Sequence, residues 1–139
     1  MYPQTHIKLG LVFAILLAFT TNLPLIALLI IFASSILMDV DHWLVYVIKN
    51  KDLSIRRSYL WFVQNAEKHK KQNKKFLCIF HTIEFFIIIF ILSFISSIVF
   101  YIVIGFSFHM LMDIIYSYLY IKESRKPVSI ISHIIKFKR

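Results

Sequence analysis

Long apolar runs separated by short polar stretches are the dominant pattern of the chain, and they predict four membrane-spanning helices. The first run covers about residues 6–21 and the second about residues 24–48, where Pro24 suits the first turn because its missing N–H needs no partner there. The apolar region 76–121 is too long for one crossing of about 20 residues, so a tight turn is expected at Ser96–Ser97. The pattern therefore predicts an all-α membrane protein with a bundle of about four transmembrane helices.

Two basic segments predict how these helices are oriented. Segment 49–75 carries nine Lys or Arg residues and the tail after Ile121 carries six, out of sixteen in the whole chain. Positively charged loops stay on the cytoplasmic side, and an even number of crossings then puts both termini there. We therefore expect a multi-pass protein of the inner (cell) membrane, with one membrane domain over 1–121, loop 49–75 included. The basic tail 122–139 has a near-helical spacing of apolar and basic residues that suits a helix on the membrane surface.

Composition agrees with a membrane protein and restricts its partners. Of 139 residues, 59% are hydrophobic, compared with about 45–50% in soluble domains, and the mean hydropathy is +0.74. The net charge of +9 raises the question of nucleic-acid binding, but basic loops beside apolar helices favour membrane lipid headgroups instead.

The single cysteine, Cys78, excludes an internal disulfide and a cysteine-based metal cluster, and we interpret it as a small buried apolar side chain. Composition does not decide the oligomeric state.

Ionisable side chains interrupt the apolar runs at eight positions: His6, Asp39, Asp41, His42, His81, Glu84, His109 and Asp113. One ionised side chain near the bilayer centre costs roughly 2.5–3.5 kcal/mol, so four carboxylates would cost about 10–14 kcal/mol. This is comparable to the ~5–15 kcal/mol that holds a typical protein folded. The sequence therefore requires something that offsets the cost.

Spacing indicates that these side chains meet. Three pairs have the three- or four-residue spacing of one helix face: Asp39 with His42, His81 with Glu84, and His109 with Asp113. Asp41 points elsewhere unless the helix loosens at that position. Counting about 1.5 Å per residue along each predicted helix places all of these groups in the cytoplasmic half of the membrane, at the level where His6 enters.

A divalent metal would offset the buried charge. Neutral imidazole and carboxylate are ligands for Zn²⁺, Mn²⁺ and Fe²⁺, of which we expect zinc first. Eight potential ligands exceed the needs of one tetrahedral ion and would suit two ions joined by a bridging carboxylate. The sequence therefore predicts a site for one or two divalent ions.

Three motifs resemble those of a family of small inner-membrane metal-dependent hydrolases. They are MDVDH (38–42), FHTIEF (80–85) and GFSFHMLMD (105–113), and the family has Pro-Asp-x-Asp-His, Thr-His-Ser and Gly-x-x-x-His-x-x-x-Asp elements in this order. The arrangement is also similar to the helical zinc phospholipase C and P1-nuclease type. Met38 replaces the family's proline, and one histidine of its longer second element has no counterpart here. The resemblance implies metal-ligand roles for His6, Asp39, His42, His81, His109 and Asp113, and it also covers Asp41.

The hypothesis we prefer is a membrane-embedded hydrolase of phosphoesters, with a lipid as one candidate substrate. A bound metal would lower the pKa of a coordinated water toward ~7 and supply the nucleophile. Asp39 would bridge two ions, and Glu84 or Asp41 would act as general base or orient a ligand histidine. Two alternatives use the same side chains: a membrane protein that handles metal ions or protons, and a non-catalytic scaffold with a structural metal.

Overall fold

The computed structural model describes residues 3–72, 78–121 and 129, and it confirms the all-α prediction for them. The helices are α1 (Pro3–Thr20), α2 (Leu25–Leu37), α3 (Val40–Asn50), α4 (Ile55–Gln72), α5 (Ile83–Ser93) and α6 (Ser97–Tyr116). A short 3₁₀ turn, Ile79–His81, precedes α5, and a π-helical turn, Ser117–Ile121, follows α6. The predicted tail 122–139 lies outside the described residues except for Ser129.

Two segments are long and apolar enough to cross a membrane: Leu25–Asn50, which comprises α2 and α3, and Ser97–Leu119. The apolar helices α1 and α5 are shorter. The 11 residues of α5 extend only about 16 Å, compared with a hydrocarbon core of about 30 Å. Four crossings therefore stay a prediction, whereas two candidate spans are found. Large apolar side chains such as Ile91 and Ile98 are 57% and 59% exposed, as they would be against lipid.

Helix α6 lies at the centre of the packing. It contacts α2, α5 and α1, while α2 also packs against α1, and α3 packs against α4. The buried apolar core contains Met38 from the turn after α2, Ile89 from α5, and Val103 and Phe106 from α6. This arrangement brings α1, the α2–α3 junction, the start of α5 and the second half of α6 together.

The second predicted helix is interrupted inside the MDVDH motif. Helix α2 ends at Leu37, and α3 begins at Val40 after a turn at Met38 and Asp39. The amide of Asp39 donates to the carbonyl of Ile36 at 3.2 Å, so the chain tightens into three-residue hydrogen bonding at the junction. The helical phase is therefore not continuous between α2 and α3. This break is the loosening of the helix that Asp41 needs in order to point toward the other ionisable side chains.

Helix α5 begins later than predicted. The apolar region 76–121 predicts a helix from about Phe76 with His81 and Glu84 on one face, and the prediction that these two residues share a helix face is wrong. Thr82 is extended and caps α5, because its hydroxyl oxygen accepts a hydrogen bond from the amide of Phe85 at 3.3 Å. His81 therefore belongs to the preceding 3₁₀ turn, and Glu84 lies in the first helical turn, where the helix dipole favours an acid.

The sequence predicts a loop over the polar segment 49–75, but part of this segment is the helix α4. Lys51 ends α3 in the left-handed conformation, with φ of 55°. Asp52 then accepts a hydrogen bond from the Tyr46 hydroxyl and pairs with Arg57 Nε at 3.1 Å. The pKa of the Asp52 carboxyl is lowered, chiefly because it accepts the hydrogen bond from Tyr46. This corner turns the chain from α3 into α4.

The two glycines of the chain lie where α1 and α6 come closest to α2. A Cβ added at Gly105 would lie 2.4 Å from the carbonyl oxygen of Ile31 and 2.0 Å from Ser34 Oγ. A Cβ added at Gly10 would lie 2.5 Å from Ser35 Oγ, with its other neighbours at ordinary contact distance. Small residues thus permit close helix packing on the Ser34–Ser35 step of α2.

We expect Gly105→Ala to destabilise the fold by about 1–3 kcal/mol, because the clash with the Ile31 carbonyl involves backbone that cannot rotate away. The same clash should persist in the Ser34→Ala background. Gly10→Ala should be milder and should return to the stability of its background when combined with Ser35→Ala, which removes the clashing hydroxyl. Thermal unfolding in detergent would measure both series. Equal tolerance of the two glycine substitutions would contradict this account of the packing.

Candidate metal centre

Six side chains from separate parts of the chain converge between α1, α3 and α6. They form three overlapping groups in which potential ligand atoms lie within 4.8 Å of one another: His6, Asp39 and His109; Asp39, His42 and His81; and His81, His109 and Asp113. These are the six residues that the sequence singled out as metal ligands. The structure brings them together, and groups of this composition could hold a metal ion.

Distances within the cluster differ from those of hydrogen bonds. His6 Nε2 lies 3.4 Å from Asp113 Oδ1, and His109 Nε2 lies 3.6 Å from Asp39 Oδ1 and 3.7 Å from Asp113 Oδ2. Hydrogen bonds between nitrogen and oxygen are about 2.7–3.2 Å long. Ligands about 2.0–2.2 Å from a tetrahedral zinc are about 3.3–3.6 Å apart. The gaps are therefore close to the ligand spacing around an ion and too long for direct hydrogen bonds.

His109 presents one ring nitrogen to the cluster and anchors the other. Its Nδ1 lies 2.7 Å from the backbone carbonyl oxygen of Ser35, which only accepts, so Nδ1 carries the proton. Its Nε2 is buried and makes no hydrogen bond within the part of the chain that the structure describes. The His109 ring is 1% exposed and stacks on His6 with ring centroids 3.9 Å apart. A fixed tautomer with a bare Nε2 is the state that a ligand histidine requires.

His81 shows the same division between its two nitrogens. Its Nδ1 lies 3.1 Å from Asp41 Oδ2, which also accepts a hydrogen bond from the amide of Phe80 at 3.0 Å. Its Nε2 is buried and has no hydrogen-bond partner among the described residues. A carboxylate that holds one histidine nitrogen while the other faces a metal is a recurrent arrangement in metal sites.

Asp41 lies beside this cluster and contacts two of its histidines. The residue is 4% exposed, and its Oδ1 lies 2.8 Å from His42 Nδ1 while its Oδ2 contacts His81. Of the two roles that the sequence left open for Asp41, this position suits orientation of ligand histidines better than general-base catalysis. Both roles stay predictions.

Asp39 belongs to two of the three ligand groups. Its Oδ1 is 3.6 Å from both His42 Nδ1 and His109 Nε2, and its Oδ2 is 3.9 Å from His6 Nε2. Its place at the α2–α3 junction permits this reach toward both sides. A carboxylate in that position can bridge two ions, which is the role predicted for it.

Glu84 lies outside the ligand groups although it was predicted to act in the site, and Cys78 lies in such a group although it was not. Glu84, a predicted general base, belongs to none of the three groups, and its Oε1 accepts a hydrogen bond from Ser129 Oγ at 2.5 Å. Cys78 is buried as expected, but it lies with Asp41 and His42 in a further group of potential ligands. Its position three residues before His81 was the one sequence signal for that proximity.

We expect Asp41→Asn to lower metal affinity about 10–100-fold, because loss of a group that holds a ligand histidine has costs of this order. Competition with a chelator on protein in detergent would measure the affinity. Asp52→Asn is the matched control, because it makes the same change at a carboxylate outside the cluster. Equal affinity in the two variants would contradict the orienting role of Asp41.

Comparison of the chain with protein-family models, curated proteins and solved structures finds no match in any of the three. The site geometry is therefore the basis for an inference about function.

Proposed function

We propose that this chain is a membrane-embedded, metal-dependent hydrolase that cleaves phosphoesters. The observation that supports it most is the placement of Asp39 between overlapping ligand groups, with distances of 3.6–3.9 Å to three histidines. Shared carboxylates of this kind join the ions of two-metal hydrolytic centres. Zinc is the first choice of metal for a nitrogen- and oxygen-ligand set, with manganese or iron as alternatives.

The residues of the chain fit the group that the proposal requires. The bare, buried Nε2 atoms of His81 and His109 would receive a metal, and the carboxylates of Asp39 and Asp113 would neutralise its charge. A divalent metal held there would supply an acidified water molecule and positive charge for phosphoryl oxygens. Asp41 keeps the rings of His81 and His42 in place.

One side of the cluster is accessible. The side chains of His42 and Asp39 are 37% and 29% exposed, whereas those of His6 and His109 are 3% and 0% exposed. A substrate would therefore approach from the His42 side, and His6 and His109 would form the closed floor.

We further propose that the protein is a multi-pass protein of the inner membrane, with about four crossings and with both termini in the cytoplasm. The distribution of basic residues between segment 49–75 and the tail supports this orientation. The two candidate spans and the exposed apolar side chains of α5 and α6 support residence in a membrane.

Metal analysis of purified protein tests the ligand set. We expect wild-type protein in detergent to contain at least one divalent ion per chain, and His81→Ala and His109→Ala to lose most of it, because each removes a bare ring nitrogen. His69→Ala is the control, since this histidine belongs to the basic polar segment 49–75 and is not one of the predicted metal ligands. Unchanged metal content in both cluster variants, with the protein still folded, would refute the metal site.

A single-turnover assay on soluble phosphodiesters and phospholipids, with and without added metal, tests the reaction. We expect metal-dependent product that falls about 100-fold or more in Asp39→Asn, because loss of the bridging group would remove several kcal/mol of transition-state stabilisation. Asp52→Asn should react like wild type. No metal-dependent product with any substrate would refute the hydrolase. Ion flux into liposomes that His109→Ala abolishes would then favour the ion-handling alternative.

A further inference from the structure

An open cavity of about 340 Å³ lies between α5 and α6 and ends at the metal centre. We call it the α5–α6 groove, and its walls include Phe86, Ser107, Met110, Leu111 and Ile114. Its volume is within the range of small-molecule pockets, which is about 300–1,000 Å³. Its walls are apolar almost throughout, which restricts what it can bind.

The groove and the ligand cluster share a residue. His81 lines the groove and also belongs to two of the three ligand groups. Along α6, Met110 and Ile114 face the groove, while their sequence neighbours His109 and Asp113 belong to the cluster. A molecule that fills the groove therefore has one end beside the candidate metal centre.

Polar partners for a hydrophilic ligand are scarce in the groove. Apart from His81, its polar lining consists of Ser107 and Thr82, and the Thr82 hydroxyl already donates to the carbonyl oxygen of Ile79 at 2.7 Å. A sugar or nucleotide placed there would lose hydrogen bonds to water without replacement. A hydrocarbon chain would lose none.

The mouth of the groove opens on a surface that suits lipid. Ile83, Leu111 and Ile114 at its rim are 47%, 51% and 53% exposed, and α6 belongs to the candidate span Ser97–Leu119. In the hydrocarbon layer, the neighbour that meets such a surface is an acyl chain. The exposed side of the groove is therefore continuous with the proposed lipid-facing surface.

We propose that the α5–α6 groove binds one acyl chain of a glycerophospholipid and places its phosphoester beside His81. This inference rests on the proposed hydrolase and narrows its substrate class to a lipid phosphoester. The apolar groove would select for the chain, and the ligand cluster would act on the headgroup linkage.

Photolabelling tests the groove without requiring turnover. The probe is a phospholipid that carries a diazirine on one of its acyl chains. Vesicles that contain it are reconstituted with the full-length protein. We expect labelled peptides to contain Phe86 or Met110, and Ser107→Trp to reduce that labelling at least fivefold by filling the groove. Ser97→Trp, the same change on an exposed position at the start of α6, should leave labelling as in wild type. Thermal unfolding of both variants, measured alongside, shows whether the fold is retained.

Each result decides the inference separately from the hydrolase. Labelling that is equal in the two tryptophan variants, or that is confined to other helices, would overturn acyl-chain binding. Cleavage of a short-chain, water-soluble phosphodiester as fast as its long-chain counterpart would overturn the lipid substrate class and leave the proposed hydrolase standing. Groove labelling without metal-dependent cleavage would support acyl-chain binding and refute the hydrolase.

Discussion

Neutralisation of carboxylates inside an apolar helical bundle is the constraint on which the rest of this structure depends. Asp39, Asp41 and Asp113 lie among helices whose outward side chains are mostly apolar, so each carboxylate needs a partner within the protein. Asp41 does so by direct contact with two histidines. Asp39 and Asp113 instead face imidazole nitrogens across gaps of 3.4–3.9 Å. Asp39 and Asp113 are therefore the carboxylates that a bound cation would neutralise.

Close helix packing makes this arrangement possible. Gly10 of α1 lies close to Ser35 of α2, and Gly105 of α6 lies close to Ser34. His6 lies one helical turn before Gly10, and His109 lies one turn after Gly105, so each glycine contact fixes the height of a histidine. The carbonyl of Ser35 then receives His109 Nδ1 directly. Packing and ligand geometry are therefore one feature of the bundle.

The elements of the cluster were predictable from sequence to different degrees. His109 and Asp113, four residues apart in an uninterrupted helix, share a face as spacing requires. His81 and Glu84 do not, because Thr82 caps α5 and interrupts the helical phase between them. Asp41 illustrates the opposite case. An unbroken helix would direct its side chain away from the cluster, but the junction at Met38 and Asp39 turns it into the protein. Capping and junctions change phase by fractions of a turn, which periodicity does not encode.

The sequence by itself determined the all-helical class, the apolar runs, a helix break just before Ser97 and the six side chains that gather in the cluster, because hydropathy and the cost of buried charge are local properties of the chain. Only the tertiary structure decided where those side chains lie relative to one another. It placed Asp41 in hydrogen-bond contact with His81 and beside His42, it made Asp39 a member of two ligand groups, and it left Glu84 outside them. That distinction is one of ångströms between atoms on different helices, and it depends on packing rather than on composition.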